Sequence, residues 1–212
     1  MSEQTAELAS HSMSIMPYSH TEQSLQLCRA ARAIIEDFNS LLGALSSNQF
    51  TTESKILPHS TIGKHIRHAL DHFLLLLAGL QDLLDTRRSS NNHQNDCIDV
   101  TIDYDHRQRL TLLETDPKAA QTEFARICGK LEDALLYLDM NTSVCVLATT
   151  EVSGLPIKLA SSMGREVWFT LHHAIHHAAI IRVISKELGV NDSDIPLTLG
   201  FAPSTVQHLS IK

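Results

Sequence analysis

The chain lacks three features that would each define a class of protein. Its four cysteines form no CxxC pair, so neither a zinc-ribbon site nor a disulfide framework is indicated. Basic residues number 17 against 24 acidic ones, which excludes the basic surface that nucleic acid requires. The longest apolar run, residues 73–78, is far shorter than the roughly 20 residues of a membrane span. We expect a cytoplasmic protein with reduced thiols and without nucleic-acid or membrane partners.

Four long segments carry apolar residues at every third or fourth position, which predicts helices with one buried face. The predicted helices are residues 21–45, residues 60–84 capped by Ser60, residues 117–138 opened by Asp116 and Pro117, and a fourth helix that Ser161 or Ser162 caps and that ends at Leu188 before Gly189. Residues 46–59 and the segment after Gly189 are predicted to be irregular.

These elements predict one all-α domain, a four-helix bundle over residues 20–212, preceded by a disordered tail over residues 1–19. The tail has neither the basic nor the apolar region of a secretory leader. A long connection, residues 86–115, joins the second and third helices and contains a short candidate strand. Residues 144–149 and 155–159 resemble a small β-hairpin before the fourth helix.

Histidine is concentrated in two of the predicted helices. Seven of the 13 histidines lie in residues 65–72 and 172–177. His65, His68 and His72 fall within an arc of roughly 60° on the second helix. His173 and His177 are four residues apart on the inward stripe of the fourth helix. Two such faces can meet around a divalent metal ion, and three imidazoles plus water are typical of an open, catalytic-type site.

Other interpretations of the histidines stay open. A single histidine on such a face is more often a satisfied core or surface side chain, but several together must each find partners for both ring nitrogens. The HExxH glutamate is absent, because Ala174 and Ile175 stand inside the histidine pair, which disfavours a zinc protease. Glu166 is the one inward carboxylate of the fourth helix, which disfavours a carboxylate-bridged di-iron site.

Four charged residues outside the histidine faces are further candidates. Asp71 can accept a hydrogen bond from a metal-bound imidazole, or pair with Arg67 one turn away. Asp105, Arg107 and Arg109, in the segment DYDHRQR, can bind an anionic substrate at the mouth of the bundle. The plainer interpretation of that segment is a solvated charged loop.

The segments TIGKHIRHALDHF and HHAIHHAAII resemble the DinB-like superfamily, which includes YfiT-like proteins and the N-terminal domains of some sulfoxide synthases. The resemblance covers roughly residues 25–208 and extends to YDHRQR and APST, segments of a less studied subgroup. It implies a four-helix bundle that holds one divalent metal through one histidine of the second helix and an HxxxH pair of the fourth. The matching residues are His68, His173 and His177, and His65, His72 and His176 are additional or second-shell candidates.

The resemblance implies an enzyme in which the metal activates water or a low-molecular-weight thiol for transfer or hydrolysis on a small substrate. Imidazole ligands are compatible with zinc, nickel, iron and manganese, so the sequence does not choose the metal. The alternative is a non-catalytic or stress-related structural or interaction protein, in which the histidine site stabilises the bundle or a homodimer.

Overall fold

The computed structural model describes residues 20–89, 100–106 and 110–210 of the chain. The predicted disordered tail over residues 1–19 lies outside these ranges. In chain order the elements are α1 (His20–Ala44), α2 (Ser47–Thr51), α3 (Ile62–Ser89), β1 (Thr101–Asp103), α4 (Leu112–Thr115), α5 (Pro117–Leu135), β2 (Ser143–Ala148), β3 (Ile157–Ser162), α6 (Met163–Glu187), a 3₁₀ turn (Asp192–Asp194) and α7 (Pro203–Ser210). The described chain is thus mainly helical with a small sheet.

The four long helices α1, α3, α5 and α6 correspond to the four predicted from apolar spacing. Asp116 caps α5 by accepting from the backbone N–H groups of Lys118 and Ala119, and Ser162 caps α6. Gly189 ends α6 with a φ of 70°, the left-handed conformation in which glycine has no Cβ penalty. These three caps are confirmed.

The predicted ends of the second helix are wrong in detail. Helix α3 begins at Ile62, and the hydroxyl of Thr61 accepts from the backbone N–H of Lys64 at 3.0 Å, so Thr61 rather than Ser60 holds the N-cap position. The helix also continues past Leu84. Its polar end is supported by side-chain hydrogen bonds one turn apart, such as Gln81 to Asp85 at 2.9 Å.

Three short helices occupy segments that were predicted to be irregular or connecting. Helix α2 begins with a capping box in which Ser46 and Gln49 bond each other reciprocally, a signal that the sequence S-x-x-Q carries. Helix α4 lies inside the long connection, and α7 lies in the C-terminal segment. Each is eight residues or fewer, too short for apolar periodicity to identify.

The three strands form one sheet in the order β1-β2-β3. The predicted hairpin is present as the antiparallel pair β2–β3, while β1 pairs with β2 in parallel. Strand β1 packs closely on α3 at Gly79, where an added Cβ would lie 2.7 Å from Cγ1 of Ile102. Tyr104, which follows β1, therefore lies beside α3.

The long helices pack in two well-defined pairs, α1 with α5 and α3 with α6. At the centre of the α1–α5 contact the rings of Phe38 and Phe124 stack at 4.9 Å, and at its edge Arg32 forms a salt bridge with Glu132. Among the described residues, no helix has an apolar stretch long enough to cross a membrane.

Candidate metal centre

The histidines of α3 face those of α6 at the contact between the two helices. His65 meets His177, while His72, further along α3, meets His173, with ring centroids 5.1 and 3.9 Å apart. The two helices therefore run antiparallel here. Both predicted histidine faces are thus brought together, as the sequence predicts.

Three of these histidines form a group compact enough to hold a metal ion. One ring nitrogen each from His68, His72 and His173 lies within 4.8 Å of the others. The Nε2 atoms of His68 and His173 are 3.1 Å apart. Two nitrogens bound to one ion at about 2.1 Å are roughly 3.0–3.4 Å apart, depending on the coordination angle. The side chains of His68 and His173 are therefore already spaced as two ligands of one ion.

His177, the third ligand of the sequence prediction, borders this group. Its ring centroid is 4.5 Å from that of His68 and 4.6 Å from that of His173. Its Nδ1 lies 2.9 Å from Nδ1 of His65. His72, which was predicted as an additional or second-shell residue, instead joins His68 and His173 in the compact group. The set of metal ligands remains a prediction. His72 and His177 are the two candidates for the third ligand beside His68 and His173.

The two remaining histidines of α6 lie at the edge of the cluster or outside it. His176 is exposed, with its ring 5.2 Å from that of His177 and 6.3 Å from that of His173. His172 is exposed and stacks on Trp168 at 5.1 Å. His176 thus stands at the rim, whereas His172 provides a matched control on the same helix.

Burial favours the neutral form of His65 and His177. Burial first, and then the neighbouring rings, with His68 the largest of them, lower the pKa of His177 to about 2. Burial also lowers the pKa of His65, with a smaller contribution from His176. Neutral imidazole is the form that offers a lone pair to a metal ion. The lowered pKa values therefore leave these rings available as metal ligands.

An aromatic and polar wall closes the end of the cluster beside His72. The ring of Tyr104 stacks on His72 at 5.0 Å and contacts Phe169 at 5.3 Å. The Tyr104 hydroxyl is 3.3 Å from the hydroxyl of Thr170, and burial raises the pKa of this tyrosine. Tyr104 therefore remains a neutral phenol. Local sequence patterns do not predict this contact, because the approach of Tyr104 to His72 depends on the parallel β1–β2 pairing.

Glu166 extends the polar wall away from the histidines. The side chain is fully buried, and Oε1 accepts from the hydroxyl of Ser161 and, at 2.8 Å, from Nη1 of Arg165. Its proximity contributes to the raised pKa of Tyr104. The inward carboxylate noted in the sequence is thus held two turns from His173, outside the compact group of three histidines.

The other predicted site residues have structural partners or lie outside the described ranges. Asp71 accepts from Nη1 of Arg67 at 2.9 Å, which confirms the pairing predicted one helical turn apart. Asp105 is exposed, and its Oδ2 accepts from the backbone N–H of Thr149 at 3.1 Å. Arg107 and Arg109 lie outside the described residues, so substrate binding by this segment remains a prediction.

Taken together, fold and site define a mainly helical protein with a histidine cluster that can hold a metal ion. No family model matches the chain, and no solved structure matches it. The chain is 28% identical over 199 residues to a protein named FK506-binding protein 5 from Rhizopus delemar. That similarity covers 90% of this chain and 50% of the relative, so the chain spans about half the length of the curated relative that it matches.

Proposed function

We propose that this protein is a divalent-metal-dependent enzyme of the DinB-like superfamily, with a four-helix bundle formed by α1, α3, α5 and α6. The observation that carries the proposal is the compact group of His68, His72 and His173. The residues fit a metal ion, since each is an imidazole and two of them already face each other at 3.1 Å. Zinc, nickel, iron and manganese all accept such ligands.

The ion would be held by His68 and His173, with His72 or His177 beside them. Three imidazole ligands leave a coordination position open, and a metal bound in this way lowers the pKa of a bound water or thiol and thereby supplies a nucleophile. The chain itself provides the surroundings. Tyr104 and Phe169 shield the His72 side from water, and the exposed His176 marks the side from which a small substrate reaches the cluster.

The proposal is tested by the metal content of protein purified without a histidine tag. We expect one divalent ion per chain in the wild type, and none after His68→Ala or His173→Ala. His72→Ala and His177→Ala, measured in parallel, identify the third ligand by the larger loss of metal. His172→Ala is the matched control and should retain the ion. A wild type without metal, or an unchanged metal content in His173→Ala, would contradict the proposal.

A non-catalytic metal site is the second candidate, and the number of clustered imidazoles favours it. If His68, His72, His173 and His177 all bind, a tetrahedral ion has no open position. Thermal unfolding with and without a chelator, together with an assay for transfer of low-molecular-weight thiols, separates the two functions. A large chelator effect without turnover indicates the structural role, and turnover that the chelator abolishes indicates the enzyme.

A further inference from the structure

The contact between His65 and His177 shows how the ring hydrogens of these two histidines are placed relative to each other. The two Nδ1 atoms are 2.9 Å apart, a hydrogen-bond distance. A neutral imidazole carries one N–H and one acceptor nitrogen. At this distance one Nδ1 carries the hydrogen and the other accepts it. The contact therefore fixes the tautomers of both rings together.

Each direction of this hydrogen bond has a different consequence for His177. If His65 donates, Nδ1 of His177 is the acceptor and its hydrogen is on Nε2, so the ring has no lone pair left for a cation. If His177 donates from Nδ1, its Nε2 keeps a free lone pair. The ring of His177 lies within 4.6 Å of those of His68 and His173, so a metal ion at the cluster favours the second arrangement.

We propose that His65 is a positioning residue that accepts the Nδ1 hydrogen of His177 and so leaves Nε2 of His177 free to bind the metal. This inference rests on the proposed metal site, with His177 as its third ligand. Histidine ligands are commonly oriented by an acceptor on their second nitrogen, most often a carboxylate or a backbone carbonyl. Here an imidazole takes that place. The hydrogen of His65 is then on Nε2, which is buried and has no hydrogen-bond partner among the described residues.

A second cation between His65 and His177 is the competing explanation of their short distance. A bound ion needs more than two protein ligands or several waters. Within the described ranges, no third metal-ligating side chain lies close enough to His65 and His177 to complete a cation site between them. A proton is therefore the better occupant of this contact.

The test combines zinc affinity with the tautomers seen by NMR. In zinc-loaded wild type labelled with ¹⁵N in histidine, we expect the hydrogen of His177 on Nδ1 and that of His65 on Nε2. His65→Ala should weaken zinc binding by about 10–100-fold at unchanged stoichiometry, the range found when such orienting partners are lost. His65→Gln keeps an acceptor oxygen and should recover part of the affinity, while His172→Ala should bind as the wild type does.

Three results would overturn the inference. They are wild-type zinc affinity in His65→Ala, a His177 hydrogen on Nε2 in the zinc-loaded protein, and a fall from two ions to one when His65 is replaced. Circular dichroism of each variant shows that the compared proteins are folded. If the wild type binds no zinc, the proposed function itself fails. The metal-free ¹⁵N spectrum then still shows, through coupling across the N–H···N bond, whether the contact exists.

Discussion

The α1–α5 contact and the α3–α6 contact differ in the side chains at their centres, which are aromatic in the first and imidazoles in the second. Between α1 and α5 the stacked rings of Phe38 and Phe124 are fully buried and need no specific partner, because apolar burial is non-directional. Between α3 and α6 the contact is made by imidazoles that must each satisfy two ring nitrogens. Apolar burial in the first contact lowers the free energy of the folded state without such a requirement, whereas each imidazole of the second contact costs free energy wherever a ring nitrogen lacks a partner.

The comparison predicts the largest effect for the aromatic contact. Phe124→Ala should lower the free energy of unfolding by roughly 3–5 kcal/mol, through lost burial and the cavity that remains. Urea unfolding at constant pH measures it. Zinc stoichiometry of the folded variant should not change, because the Phe124 ring contacts Phe38 of α1 and Phe73 of α3 rather than the clustered histidines. A loss of zinc binding in folded Phe124→Ala would show that the two contacts are not independent.

The histidine contact should make the metal-free protein sensitive to acid. The unfolded chain protonates His177 near pH 6.5, whereas the folded chain resists protonation until about pH 2. This stabilising contribution is fully present above pH 6.5 and is lost as the pH falls towards 2. The slope is about 1.4 kcal/mol per pH unit for one proton.

Urea unfolding in the presence of a chelator at pH 7, 5.5 and 4.5 measures the slope. His177→Leu should reduce it, since the variant lacks the group that resists protonation. A free energy of unfolding that is constant or rises towards acid pH would contradict the assignment of neutral, buried imidazoles. Phe38→Leu, which leaves the histidines intact, is the control and should keep the wild-type slope.

A double-mutant cycle measures the coupling between His65 and His177 within the α3–α6 contact. His177→Leu alone should cost about 1–3 kcal/mol in the metal-free protein, because His65 loses its hydrogen-bond partner while it remains partly buried. The double variant His65→Leu with His177→Leu should be close to the wild type, since replacing both polar partners by apolar groups is nearly neutral. Additive losses from the two substitutions would show that no coupling exists between these rings.

The smallest loss of stability is expected at the helix caps, and it should be the same for α5 as for α6. Asp116→Ala removes the cap of α5 and Ser162→Ala removes that of α6, and each should cost about 1 kcal/mol. Thermal unfolding measures both. Asp116 bonds the backbone of α5 and Ser162 that of α6, so zinc affinity should stay within a factor of about two to three, near 0.6 kcal/mol. Unequal losses would show that one helix depends more on its cap than its packing suggests.

Local sequence rules predicted the elements that depend on local forces. The spacing of apolar residues located the four long helices, and the intervals of three and four residues between His65, His68 and His72 defined a shared face. Asp116 and Gly189 marked helix ends because capping acts over a few neighbouring residues.

Contacts between distant segments escaped the sequence for a physical reason. Parallel pairing of β1 with β2 joins segments about 40 residues apart, such as Ile102 and Val146, and no local pattern specifies that register. The stacking of Tyr104 on His72 follows from this pairing. The choice between His72 and His177 beside His68 depends on side-chain rotamers, which helical periodicity does not determine.

The separation of α3 and α6 along the chain also determines when the histidine cluster can form during synthesis. His68 and His173 are 105 residues apart in the chain. At roughly 5–20 residues per second, α6 is translated about 5–20 s after α3. During that interval the α3 histidines have no partners from α6, and closing the intervening loop costs roughly 4 kcal/mol of chain entropy. The complete histidine cluster therefore first exists after translation has passed α6, so any metal ion that the cluster holds is bound late in the maturation of the protein.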